Sequence, residues 1–310
     1  MRGLAGVVCL ATWLSLWTAS GHAQLRSDPR DYDGSRYPTR STFFSNYLRH
    51  ESSSYRESAT ISYAVFGATY VLKVGNLGIA PFNFFLPVVD VTAYVPSGMP
   101  NLNYASHSSG IGDLLYIPAV GYTFRHSKES YTYTAFSLYM NAPTGSYKAS
   151  KLVNIGENRW VFRPQGMVGH RYKIVSLEGV TGVACYTDNP DYVVPMLGKQ
   201  RLEQKPSYGA DFHLAVDLSE RMFVAVSYYV TSYGRRFVNV KTDGTSMQQT
   251  IDPRQHVNAM RFTWAISVLP ELLLLLQYNQ DLTTSGGAAA YRFYGARISY
   301  ALLSPWAKHH

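Results

Sequence analysis

Cysteine is almost missing from this 310-residue chain, with two in all. Cys9 lies in an apolar leader and Cys185 is left without a mate, so no internal disulfide can form and the fold stands without covalent staples. No stretch of 18 or more apolar residues follows the leader, which excludes spanning helices; the five leucines at 272–276 are among the longest aliphatic runs. Charge is sparse, at 15% of residues, and no Lys/Arg block is dense enough to propose nucleic acid as a partner. The paired cysteines and spaced histidines of a metal site are absent too, and His309 with His310 reads as tail, so neither metal nor cofactor is expected.

What is present begins with an export signal. In "MRGLAGVVCLATWLSLWTASGHAQ" Arg2 precedes an apolar stretch from Leu4 to Trp17, and Gly21 with Ala23 supplies the small-x-small cleavage pattern. Residues 1–23 are therefore read as a secretory signal peptide, leaving about 287 residues, ample for one large domain. The formal net charge of +8 falls by one when Arg2 leaves with the signal.

The rest alternates. Met260, Phe262, Trp264, Ile266 and Val268 are interleaved with Arg261, Thr263, Ala265 and Ser267. Phe212, Leu214 and Val216 are interleaved with Asp211, His213, Ala215 and Asp217, and Tyr294, Ala296, Ile298 and Tyr300 with Gly295, Arg297 and Ser299. A period of two marks strands with one apolar and one polar face. About twelve such strands are read, at 42–49, 60–73, 77–95, 113–125, 131–142, 158–170, 174–187, 207–218, 222–234, 255–268, 271–283 and 290–302.

The connections decide what the apolar face meets. Tight links such as "VGN", "RYK", "SER" and "LP" alternate with long polar ones such as "DNPDYVVPMLGKQRLEQK" and "GRRFVNVKTDGTSMQQTIDP". Short turns on one rim and long loops on the other are the pattern of an all-β, transmembrane, antiparallel up-and-down barrel, with short periplasmic turns and long extracellular loops. Closure leaves no free sheet edge in lipid, where an unpaired peptide group has no partner. The expected organisation is a signal at 1–23, a polar tail or lumen plug at 24–40, a barrel at 41–303 and a short tail at 304–310. The start "QLRSDPRDYDGSRYPTR" has no period, and termini are commonly disordered, which favours the tail over the plug. Leu272, Leu274 and Leu276 then face lipid while Leu273 and Leu275 turn inward, and Tyr70, Tyr94, Tyr122, Tyr186, Tyr233 and Tyr278 suit interfacial aromatic girdles.

The same parity points Arg159, Arg163, Glu178, Asp211, His213, Asp217, Arg261 and Arg297 into the lumen, where they either select solutes or brace the barrel. Phe82, Phe84 and Phe85 lie together in "APFNFFLP" and could form a greasy contact for an aromatic ligand, or face lipid. No catalytic residues are expected. His107 with Ser108 and Ser109, and His126 with Ser127, are neighbours in sequence only, and His213 has no serine in register on its own strand.

At residues 142–165, "APTGSYKASKLVNIGENRWVFRPQ", the chain resembles the family of outer-membrane barrel proteins of the meta-pathway of phenol degradation. The resemblance lies in an LPTGxY-like strand end at Ala142–Tyr147, an N-x-G-x-N-x-W-x-F-x-P loop end at Asn154–Pro164, and an acidic aromatic segment at Tyr186–Tyr192 followed by "LEQKPSY". It implies a barrel linked to aromatic-compound catabolism and uptake, and it implies no catalytic residues. The chain departs from the family in the tail "ALLSPWAKHH", which runs past the last strand, although Gly295, Ile298, Tyr300 and Leu302 keep the assembly pattern.

The expectation is thus a channel in the outer membrane of a Gram-negative bacterium, passing small hydrophobic or aromatic solutes without cofactor or energy coupling. Its partners would be outer-membrane lipid, the solute, and the outer-membrane assembly machinery. The alternatives are a closed structural or surface-interaction barrel and, less favoured, a barrel hydrolase.

Overall fold

The computed structural model describes residues 27–31, 42–53, 59–75, 78–94, 105–149, 151, 153–194, 198–242, 245–288 and 290–302. The signal, most of the polar start, the C-terminal tail and Tyr94's side chain lie outside the described residues. Seventeen strands are present among the described residues. Twelve of them close the barrel: β1 (Thr42–Ser53), β2 (Ala59–Val74), β3 (Gly78–Tyr94), β5 (Leu114–Arg125), β6 (Ser130–Ala142), β7 (Val161–Tyr172), β8 (Val175–Tyr186), β11 (Ser207–Ser219), β12 (Met222–Tyr233), β15 (Gln255–Leu269), β16 (Leu272–Ser285) and β17 (Tyr291–Leu302). Each pairs antiparallel with its neighbours in chain order, and β1 closes the ring on β17, with Tyr47 opposite Arg297.

The alternation works as lipid on one side and a packed interior on the other require. On β15 Phe262 is 49% exposed while Arg261 is 1% exposed. Apolar side chains face outward because the bilayer solvates them, whereas an inward arginine is tolerated only with partners inside. On β16 Leu276 is 41% exposed and Leu275 is sealed against Ala215, Phe223, Ala225 and Ala265, with Leu273 beside it. The leucine run is thus a barrel strand with one face in lipid.

Phe44, Tyr70, Tyr122, Phe124, Tyr172 and Tyr300 are exposed near the periplasmic ends of their strands. Trp160, stacked on Phe162 at 5.8 Å, and Tyr278 beside Tyr294 at 5.1 Å lie towards the other rim. Tyr186 and Tyr233 do not join this belt. Their parity is inward, both pack with Val161, Ala184 and Val257, and the Tyr186 hydroxyl donates to Ser207 Oγ at 2.9 Å.

Two features rise above the membrane. β4 (Ala105–Ile111) continues the line of β5 beyond a break at Gly112 and Asp113 and pairs with the upper half of β3. The long connections also carry strands of their own: β9 (Asn189–Val194), β10 (Gly198–Gln204), β13 (Arg236–Thr242) and β14 (Thr245–Asp252) form a separate four-stranded sheet. Its core is Val194, Leu202, Val238 and Ile251.

Candidate functional site in the lumen

Ser27–Asp31 lie inside the barrel as a plug, not as the free tail that the sequence favours. The segment is polar at every residue but Pro29, and each polar side chain meets a strand residue of matching chemistry. The Ser27 amide and hydroxyl both donate to Asp211 Oδ2, at 2.8 and 2.7 Å, and the Tyr229 hydroxyl donates to the Ser27 carbonyl at 2.9 Å. Asp28 accepts from Arg261 at 2.5 Å, Gln277 at 2.9 Å and Arg297 at 3.1 Å, with Arg49 at 4.0 Å. Arg30 donates its amide to Glu178 at 2.9 Å and its guanidinium to Ser176 at 3.0 Å and to Asp217, which also pairs with Arg171. Asp31 takes a second bond from Arg297 at 2.8 Å. Burial of this many charges is sustainable because each is opposed by another and hydrogen-bonded as well.

The parity-assigned lumen residues fall into two groups. Glu178, Asp211, His213, Asp217, Arg261 and Arg297 converge on this segment from β8, β11, β15 and β17. Arg159 stands apart at the outer rim, bonded to Glu157 at 2.8 Å and Gln204 at 2.6 Å. Arg163, also buried, faces the remaining cavity. The phenylalanines are separated by the pleat: Phe84 points out and stacks on Tyr116 at 4.6 Å, Phe82 shares its parity, and Phe85 turns in, edge-on to Tyr47 at 5.8 Å.

A serine does reach His213, although not from its own strand. Ser27 Oγ lies 2.9 Å from His213 Nε2 and Ser227 Oγ 2.7 Å from Nδ1. With the Ser27 hydroxyl proton given to Asp211, the imidazole donates from Nε2 and accepts on Nδ1. A nucleophile requires the reverse polarity and a carboxylate behind the ring. His107 pairs with Asp90 at 2.8 Å on the exposed surface, and His126 shares Thr132 with His170; none of these has a serine positioned as nucleophile. Among the described residues no group of three potential metal ligands occurs.

The plug leaves part of the lumen open. A cavity of about 630 Å³ remains beside it, bordered by the plug and by Arg49, Arg163 and Arg297, walled elsewhere by Phe85, Val89, Leu115, Ile117, Ala119 and Leu275, and running from the turns at Glu220 and Glu271 up to Asp113 and Ile155. Ile155 and Val153 roof it, packed on Ile61, Val89 and Val91. The roof is held by Asp113, whose two carboxylate oxygens accept the amides of Gly145 and Glu157, each at 2.8 Å. The two ends of the loop cross so closely that a Cβ on Gly145 would sit 2.7 Å from the Asp113 nitrogen, and one on Gly156 would sit 2.9 Å from the Gly145 carbonyl carbon. The glycines of the two family-like motifs are therefore places where backbone meets backbone. Burial, helped by the nearby Glu157 carboxylate, pushes the Asp113 carboxyl up to about 6 against the opposing pull of the two amides and Arg159.

By fold, the chain is similar to an outer-membrane channel of Pseudomonas putida F1, at a TM-score of 0.76 and 22% identity over 89% of this chain and all of that one. It is similar also to a mutant of the TodX monoaromatic hydrocarbon channel, at 0.52 and 11% over 91% and 94%, and to the transport unit of the Escherichia coli autotransporter AIDA-I, at 0.51 and 9% over 95% and 97%. Among curated proteins none matches the sequence. Residues 49–300 match the family described as MetA-pathway of phenol degradation, and the chain belongs to that family of outer-membrane β-barrels.

Proposed function

We propose that this protein is a passive channel for small hydrophobic or aromatic solutes across the outer membrane, and that it has no catalytic role. The observation that carries the reading is the division of the lumen. Ser27–Asp31 pair with the charges on one side of the lumen, and the wall of the remaining space away from them is built from Phe85, Leu115, Ile117 and other apolar side chains. An apolar wall offers a small inorganic ion no substitute for its hydration shell, whereas an apolar body sheds unfavourable hydration on entering. No energy-coupling element is required, because downhill flux through a lined passage needs none. Site residues in this reading are the wall side chains Phe85, Leu115 and Ile117, with the charged cluster serving as brace and seal.

The test is uptake of labelled toluene by liposomes holding the refolded protein, alongside planar-bilayer conductance of the same preparation. Faster uptake than empty liposomes, with little ionic current, is expected. Ionic steps without toluene uptake would replace this reading with that of a hydrophilic pore. A surface-interaction barrel is favoured by one observation, the four-stranded sheet above the membrane, and would show neither flux.

A further inference from the structure

Arg163 forms no ion pair with the charged cluster among the described residues. It stands on β7, is 3% exposed, and borders the remaining cavity. Its guanidinium lies on the Tyr139 ring, 4.0 Å from the centroid, and Nε and Nη1 find no hydrogen-bond partner. The other buried arginines that border the cavity differ: Arg30 is held by Asp217, Arg49 lies near Asp28, and Arg297 is held by Asp28 and Asp31. Asp211 acts on Arg163 only from a distance: the two share no ion pair or hydrogen bond among the described residues, and Asp211 Oδ1 has no hydrogen-bond partner. A buried guanidinium with open N–H groups is costly unless something with acceptor oxygens joins it.

We propose that Arg163 anchors a binding site for a single carboxylate carried on an aromatic ring or short alkyl body. The proposal rests on the channel reading above and narrows its solute class from neutral hydrocarbons to amphipathic monoanions. The carboxylate would pair with the guanidinium from the cavity that Arg163 borders, with the Tyr139 face fixing the plane of the guanidinium. The body would lie along Leu115, Ile117 and Val89 beneath Ile155, all of which wall the same cavity. Asp113 borders this space as well, with both oxygens already engaged by the loop amides. Its negative charge disfavours a second carboxylate on the ligand, so the site selects one charge.

The experiment is titration calorimetry of the refolded full-length protein with benzoate, toluene and phthalate, for the native chain and for Arg163→Met and Arg163→Lys. Native protein is expected to bind benzoate and to bind the dianion phthalate more weakly. Arg163→Met should lower benzoate affinity about tenfold or more while leaving toluene unchanged. Arg163→Lys keeps the charge but loses the planar donors; it should weaken benzoate several-fold, and it carries the test alone if the methionine variant fails to give a heat-modifiable band. Benzoate binding that is absent, or indifferent to both substitutions, while toluene still binds would overturn the inference and leave the channel reading standing. Failure of both probes to bind or cross liposomes would instead remove the channel reading itself, and this inference with it.

Discussion

Single side chains decide whether the lumen is sealed. Asp28 faces Arg261, Arg297 and Arg49 together, and its replacement by asparagine keeps the volume while leaving three buried guanidiniums short of one negative charge. Removing one partner of a buried ion cluster typically costs about 3–5 kcal/mol, because the remaining charge stays desolvated. Asp28→Asn should therefore release the segment, read as a several-fold rise in bilayer conductance over the native chain. Asp113 gives a second measurement. Its carboxyl lies at about 6 in the folded protein against 3.8 for the free side chain. The folded state thus bears the cost of ionisation above pH 6 and is progressively relieved as pH falls towards 4. A carbon-13 carboxyl titration should show a midpoint near 6 that vanishes in Asp113→Asn, and native stability should rise between pH 7.5 and 5 relative to that variant. Much of this scale was legible. Strict parity pointed Asp211, Arg261 and Arg297 inward because each sits between outward apolar neighbours. The same parity, applied to "FNFF", separates Phe85 from Phe84, a distinction that sequence proximity obscured.

At the scale of elements, the barrel strands could be read because lipid enforces their pattern, while the strands outside the membrane could not. β9, β10, β13 and β14 are six to eight residues long, rich in Lys, Arg, Gln and Asp, and under no demand to alternate. Their core residues Val194, Leu202, Val238 and Ile251 meet in space but are scattered in sequence. The polar links in which they lie read as loops for that reason. The sheet they form makes contact with the barrel through the ends of its hairpins, where Arg236 holds Asp252 at 3.1 Å. Replacing residues 239–249 by a two-glycine turn keeps that pair and removes most of β13 and β14. Toluene uptake and heat-modifiability should stay within about twofold of the native chain, since connections outside the membrane carry little of the barrel's stability. Loss of uptake would mean that the outer sheet is part of the passage.

For the whole molecule, a barrel with charges pointing inward can pass few ions only if those charges are neutralised inside the lumen. Closure, orientation and strand number followed from alternation and loop lengths, but the position of "SDPRD" did not, because five residues without a period carry no sign of where they dock. The match became visible only when the fold brought Asp211, Glu178, Asp217 and the arginines to one side of the lumen. A five-residue glycine–serine replacement of Ser27–Asp31 preserves chain length and removes the side-chain contacts of Asp28, Arg30 and Asp31. The unplugged lumen would then present Arg49, Arg163, Arg171, Arg261 and Arg297 against Glu178, Asp211 and Asp217. That excess of fixed positive charge predicts hydrated conduction with an anion preference. In a potassium chloride gradient the replacement should give discrete steps absent from the native chain and a reversal potential on the chloride side. Cation-selective steps would mean that the arginines remain tied up by partners other than the segment. Unchanged silence would place the seal in the roof at Val153 and Ile155, held down by Asp113.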